Sequence, residues 1–223
     1  MTYIDSIRGK HLVDLTKSEL AFIHLNASTS GFYINGGVIK SGLPILIQEI
    51  NHVKCNIYSK NLVPIISSFA ILDQLGYCYK RNDMPVYSNS DASGVKKALY
   101  YFCGLIDESP DIKALYAFRN GLMHSGSLLS RGRGKNDSHY SFIYDESLTR
   151  VIEPASVAWD GDFSHLQHPS MLTKVNPIKI IELAQNAVHK ARELLVAGSL
   201  EVVITEIEMH YTFLNCVSRA KSK

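Results

Sequence analysis

Three polar side chains interrupt an otherwise apolar segment, "ALYAFRNGLMHSGSLL", at residues 114–129. Asn120 and His124 are four residues apart, so on a helix they point to nearly the same face. Arg119 is five positions from His124, about 140° around the helix, but its long guanidinium arm can curl back toward the imidazole. A histidine moves protons near neutral pH, an arginine binds a phosphate through two parallel hydrogen bonds, and an amide orients either one. The trio predicts acid–base chemistry on a phosphodiester, with no metal and no cofactor.

At these residues the sequence resembles the HEPN superfamily of small helical-bundle proteins. The signature of that family is Arg, four to six residues, and then His, commonly with a polar residue directly after the Arg. Arg119, Asn120 and His124 fit its shortest form. The apolar segment "SSFAILDQLGYCY" at 67–79 is similar to the preceding helix of the family and carries an acidic residue, Asp73, near its end.

The resemblance covers roughly residues 61–129 and the helical segment 177–198. It does not account for the first 60 residues or for a β insertion at about 139–153. We therefore divide the chain into 1–60, an N-terminal helical or irregular extension packed on the bundle, and 61–223, the HEPN-like bundle with its insertion. The expected fold is mainly α, a HEPN-like helical bundle with a small β-hairpin insertion.

The resemblance implies a metal-independent endoribonuclease. In active members the RNA 2′-OH attacks the adjacent phosphate in a cleft shared by two chains of a homodimer. Carried over, Arg119 stabilises the phosphorane, His124 acts as acid or base, and Asn120 polarises or positions. Asp73 is a supporting residue, more often a helix-end charge that pairs with an arginine than a catalytic acid, and an ion pair with Arg119 is consistent with either role. The implied partners are RNA, a second copy of the chain and an antitoxin protein, in a toxin–antitoxin or antiphage-defence role. Two alternatives stay open: a non-catalytic HEPN-like module that binds RNA or nucleotide or only dimerises, and a structural protein in which the motif is a coincidence.

Other polar groups allow weaker predictions. The loop "SRGRGKND" at 130–137 places three cations just beyond the motif, Arg131, Arg133 and Lys135, and it either tracks RNA phosphates or is simply a solvated loop. A looser cluster, formed by Asp160, Asp162, His165 and His168, lacks a partner motif, so we expect no metal site there. Gly121 and Gly126 indicate close backbone approach at the motif, such as a tight dimer interface, because Gly in a helix costs about 1 kcal/mol against Ala.

Composition limits the function classes. The chain is 46% hydrophobic and 20% charged with a formal net charge of +2, so any nucleic-acid contact should be confined to one site. Four scattered cysteines without a CxxC pair are typical of reduced thiols. The N-terminus does not look like a signal peptide, and no apolar run approaches the ~20 residues of a membrane span. We expect a cytoplasmic protein with no membrane partner.

Periodicity and capping residues predict the elements. The pattern favours a hairpin over Gly36-Gly37 and a second hairpin between Tyr140–Tyr144 and Arg150–Glu153, with an irregular segment following the second. Apolar repeats predict helices at 10–28, 44–60, 61–81, 95–106, 110–129, 177–198 and about 199–215.

Overall fold

The computed structural model describes residues 3–26, 30–132, 138–166 and 168–218. Arg133 and Lys135, predicted to bind phosphates, lie outside the described residues. Eight α-helices are present in the described part of the chain: α1 (Tyr3–Ile7), α2 (Lys17–His24), α3 (Leu43–Val53), α4 (Val63–Cys78), α5 (Gly94–Cys103), α6 (Pro110–Ser125), α7 (Pro177–Val196) and α8 (Glu206–Phe213). The strands there are β1 (Phe32–Ile34), β2 (Gly37–Ser41), β3 (Tyr79–Arg81), β4 (Leu129–Ser130), β5 (Tyr140–Tyr144), β6 (Ile152–Glu153), β7 (Leu172–Val175), β8 (Leu200–Val202) and β9 (Leu214–Ser218).

The prediction of a mainly α, HEPN-like bundle with one small hairpin insertion is wrong. The described residues are 50% helical and 16% strand, and the strands among them form three small sheets in an α/β mixture. The sheets have the orders β1-β2-β9, β3-β8 and β4-β5-β7-β6. Short strands distributed along the chain pair over long distances, which a local hydrophobic pattern does not reveal.

The second predicted hairpin is also wrong, although both of its strands exist. β5 pairs in parallel with β7, Ser141 opposite Leu172, and β6 pairs antiparallel with the other edge of β7, Ile152 opposite Val175. β7 lies in the segment predicted to be irregular, and it alternates half-buried and buried residues as a strand with one buried face does. This strand separates the two that were expected to pair.

The C-terminal region departs from the prediction of a helix at about 199–215. It forms β8, α8 and β9 instead, and β8 pairs with β3 while β9 pairs with β2. The predicted hairpin over Gly36-Gly37 is confirmed as the antiparallel β1–β2 pair. Because β2 also bonds β9, with Ile39 opposite Cys216, the first 60 residues share a sheet with residues 214–218.

Helix α4 packs against α3, α5 and α7 and lies at the centre of the apolar core. The helix runs through Gly76 and continues to Cys78. A Cβ at position 76 would overlap the Gly94 carbonyl oxygen and lie 2.7 Å from the Ala98 backbone nitrogen. Gly76 therefore allows the backbone of α5 to cross α4 at close range.

Helix α6 carries Arg119, Asn120 and His124, and capping residues mark both of its ends. The Ser109 side-chain oxygen accepts a hydrogen bond from the Ile112 backbone N–H, and Pro110 occupies the first turn. Gly126 ends the helix in the left-handed conformation, with φ 59°. The buried residues Leu115, Phe118 and Leu122 hold the apolar face of α6 against the core.

His24 of α2 is a fully buried histidine whose titration should govern acid stability. Its Nδ1 lies 2.7 Å from the Tyr79 hydroxyl and its Nε2 3.3 Å from Gln74 Oε1. Burial lowers the pKa of His24 from 6.5 to about 4, although the hydrogen bond to Gln74 opposes this shift. The folded chain keeps His24 neutral while the unfolded chain protonates it, so this stability is complete above pH 6.5 and lost as the pH falls toward 4.

We expect the free energy of unfolding to fall by about 2 kcal/mol between pH 7 and pH 5 through His24 alone. Urea unfolding midpoints at pH 7, 6 and 5 measure this loss. In His24→Gln, which cannot titrate, the midpoint should be lower at pH 7 but nearly independent of pH over this range. If the midpoint of His24→Gln falls with pH as steeply as that of wild type, groups other than His24 cause the acid sensitivity.

Candidate functional site

A cleft of about 800 Å³ opens along one face of α6. Its α6 side is lined by residues three or four positions apart, which share a helix face: Lys113, Ala117, Asn120 and His124, with Tyr116 and Gly121 beside them. The opposite side comes from α5, β4, β5 and neighbouring loop residues, including Lys96, Ser130, Arg131 and Tyr140. The cleft therefore combines a histidine, an amide and three cations.

The structure divides the predicted trio between two depressions. Asn120 and His124 line the cleft, and the His124 side chain is exposed. Arg119 lines a separate, smaller depression of about 370 Å³ together with Asp73 and Met123. The five-residue separation of Arg119 and His124 turns them to different sides of α6, and the guanidinium arm does not curl back.

Arg119 is nevertheless linked to the cleft. Its Nη1 donates a hydrogen bond of 3.1 Å to Asn120 Oδ1, and its Nη2 lies 3.7 Å from Asp73 Oδ2. Its Nε is buried and has no hydrogen-bond partner among the described residues. An arginine held on one side by Asp73 and on the other by Asn120 fixes the orientation of the amide that faces the cleft.

The three cations of the cleft have different surroundings. Lys96 Nζ lies 3.3 Å from Glu108 Oε1 and 5.4 Å from the centre of the Tyr116 ring. Lys113 Nζ lies 3.7 Å from Glu108 Oε2. Arg131, the one member of the predicted basic loop that is described, lines the cleft with its guanidinium 5.2 Å from the centre of the Phe163 ring.

Glu108 lies in the loop before α6 and is ionised at neutral pH. The Tyr87 hydroxyl donates a 2.7 Å hydrogen bond to it, and this bond, with the charges of Lys96 and Lys113, holds the pKa of the carboxyl below its usual range against the opposing effect of burial. Glu108 adopts φ 49°, a left-handed backbone conformation that is uncommon for a residue with a side chain.

Sequence reasoning missed several cleft residues. Lys113 lies seven positions before Asn120 and eleven before His124, so helical periodicity could have placed it on the same face. Lys96 and Tyr140 reach the cleft from α5 and β5, and no local signal in the sequence brings these elements to α6.

The conformation and contacts of the chain itself explain why glycine occurs at both positions of the motif, 121 and 126. A Cβ at Gly121 would lie 2.7 Å from the Ser127 carbonyl oxygen and 2.9 Å from that of Leu129. Gly121 thus lets the chain fold back toward β4 after α6 ends at Gly126. The close backbone approach that was expected at a dimer interface occurs here inside one chain.

The looser His and Asp cluster at 160–168 forms an ion pair and a turn. His165 Nδ1 lies 2.8 Å from Asp160 Oδ2, and this hydrogen bond raises the pKa of His165. Asp162 Oδ1 accepts a hydrogen bond from the Ser164 backbone N–H. In the described ranges no group of three or more His, Cys, Asp or Glu side chains is arranged to hold a metal ion.

Comparisons of the chain with protein-family models, curated proteins and solved structures give no match. Among the helices of the described residues, none combines the length and the apolar character that crossing a bilayer requires.

Proposed function

We propose that this protein is a metal-independent endoribonuclease that cleaves RNA in the cleft on α6. One observation carries the proposal: the exposed His124 and the oriented Asn120 open onto the same cleft as Lys96, Lys113 and Arg131. A histidine beside several cations combines proton transfer with binding of a polyanion, which phosphodiester chemistry needs.

The cations bind backbone phosphates and offset the charge that grows on the phosphorane. The RNA 2′-oxygen attacks phosphorus, the bond to the 5′-oxygen breaks, and the products are a 2′,3′-cyclic phosphate and a 5′-OH. One group accepts the 2′-OH proton and another donates a proton to the leaving oxygen. His124 performs one of these transfers, and His124 of a second copy performs the other in the homodimer that the HEPN resemblance implies.

The proposal is tested with purified protein and an end-labelled single-stranded RNA in excess EDTA. We expect cleavage that EDTA does not suppress, with 2′,3′-cyclic phosphate and 5′-OH ends. DNA of the same sequence should stay intact because it lacks the attacking hydroxyl. Loss of cleavage in EDTA, or equal cleavage of DNA, would contradict this mechanism.

A second candidate is a non-catalytic module that binds RNA or nucleotide. The position of Arg119 favours it, since this arginine pairs with Asp73 in a separate depression instead of facing the His124 imidazole. This candidate predicts RNA binding without cleavage at any protein concentration, and weaker binding in Arg119→Ala.

We place the activity in a cytoplasmic toxin–antitoxin or antiphage system with an antitoxin partner. The motif's resemblance to HEPN toxins supports the role, and the four unpaired cysteines support a reducing compartment. A neighbouring gene for a small antitoxin or a nucleotidyltransferase would favour this role over a housekeeping one.

A further inference from the structure

Glu108 lies beside the cations of the cleft without lining the cleft itself. Its two carboxylate oxygens face different lysines: Oε1 is 3.3 Å from Lys96 Nζ, and Oε2 is 3.7 Å from Lys113 Nζ. The loop that carries Glu108 is held on its other side, where Asp107 accepts hydrogen bonds from the backbone N–H and the hydroxyl of Ser88. The Glu108 carboxylate is thus held beside the two lysines and outside the lining of the cleft.

The two lysines differ in how freely they can leave Glu108. The Lys96 side chain is 16% exposed and also lies over the Tyr116 ring, so it is confined. The Lys113 side chain is 51% exposed and makes the longer contact with Glu108. An exposed ion pair of this length contributes about 1 kcal/mol or less, so a stronger anion in the cleft can take Lys113 from Glu108.

We infer that Glu108 is an internal counter-ion of the cleft, with which the phosphates of a nucleic-acid backbone compete for Lys113. It reduces the positive charge available in the empty cleft. A ligand with one phosphate gains little binding free energy when it replaces Glu108 beside Lys113. A nucleic-acid backbone carries one phosphate per nucleotide, so it also reaches Arg131 and makes several contacts at once. Glu108 therefore selects for backbone polyanions and sets the ionic strength at which they are released. This role rests on the proposed function for the identity of its ligand.

Replacing Glu108 with Gln tests the inference, because the amide oxygen still accepts the Tyr87 hydrogen bond while the negative charge is gone. The matched control is Glu193→Gln, which makes the same charge change on α7 beside His189 and Lys190. Binding is measured by fluorescence anisotropy with a 2′-O-methyl RNA, which cannot be cleaved, at about 50 to 200 mM salt. Inorganic pyrophosphate, followed by calorimetry, serves as a second probe.

We expect Glu108→Gln to bind the RNA roughly three- to fivefold more tightly than wild type at the lowest salt. This advantage should shrink roughly 2.5-fold as the salt rises fourfold, because one more phosphate contact releases counter-ions. Glu193→Gln should match wild type at every salt concentration.

The outcomes separate this inference from the proposed function. If wild type binds RNA and Glu108→Gln binds equally or more weakly, the counter-ion role is overturned. If wild type does not bind RNA but Glu108→Gln binds pyrophosphate more tightly than wild type and Glu193→Gln do, the counter-ion role stands and the RNA assignment falls. If Glu108→Gln improves binding of neither probe, the counter-ion role is also overturned.

Discussion

Replacing His124 with Ala should lower the rate of RNA cleavage at least about 10²-fold while leaving the fold intact. His124 is the one histidine among the described residues that line the cleft, so no neighbour there replaces its proton transfer near neutral pH. Its side chain is exposed in the last turn of α6, and truncating it removes little packing. Initial rates under single-turnover conditions, with thermal melts of both proteins, measure the effect.

The control for this variant is His189→Ala, which removes another exposed histidine from α7, far along the chain from the motif. It should cleave RNA at the wild-type rate. Added imidazole should restore part of the activity of His124→Ala, since it supplies the missing proton carrier without altering the fold. Equal rates in His124→Ala and wild type would remove His124 from the mechanism.

Arg119 should act differently from His124, because it reaches the cleft only through Asn120. Arg119 and Asn120 are positioning residues, so replacing either of them with Ala should lower kcat with little change in KM. The double variant should be no slower than the slower single variant, because both replacements remove one shared interaction. Additive losses would show that Arg119 has a separate contact with the substrate.

The largest stability loss is expected for Gly76→Ala, about 3 kcal/mol or more. Alanine has the higher helix propensity, by about 1 kcal/mol, so the substitution would be stabilising in an open helix. Here the added Cβ would meet the backbone of α5 at Gly94 and Ala98, and neither can move without displacing the whole helix. Urea unfolding at pH 7 measures the loss.

Gly42→Ala is the matched control for this substitution. Gly42 has φ −77°, and a Cβ there would meet no heavy atom within 4 Å. This variant should unfold within about 0.5 kcal/mol of wild type. A Gly76→Ala protein of wild-type stability would show that α4 and α5 are further apart than the structure places them.

The sequence predicted those elements whose signals are local. Asn176 and Pro177 mark the start of α7, and Asn176 Oδ1 does accept hydrogen bonds from the Ile178 and Lys179 backbone N–H groups. The strands β5 and β6 were predicted, but their pairing was not, because both pair with β7, a four-residue strand in a segment that was expected to be irregular. The fold class could not be predicted for the same reason, because it depends on the three sheets that such strands form.

The part of the candidate site that depends on one helix was predictable, and the part that depends on two helices was not. Helical spacing placed Asn120 and His124 on one face, and the structure shows them in one cleft. The Arg119 guanidinium lies beside Asp73 of α4, in a depression separate from the cleft that His124 lines. The position of Asp73 on another helix is a tertiary effect, and the sequence of α6 alone does not contain it.

The pairing of β2 with β9 has a consequence for synthesis on the ribosome. Residues 37–41 leave the exit tunnel long before their partners 214–218 have been translated. Until then one edge of the hairpin is open, and its backbone hydrogen-bonding groups are available to other nascent chains. During this interval the protein is exposed to misassembly through residues 37–41, and a chaperone that covers residues 32–41 would act within it.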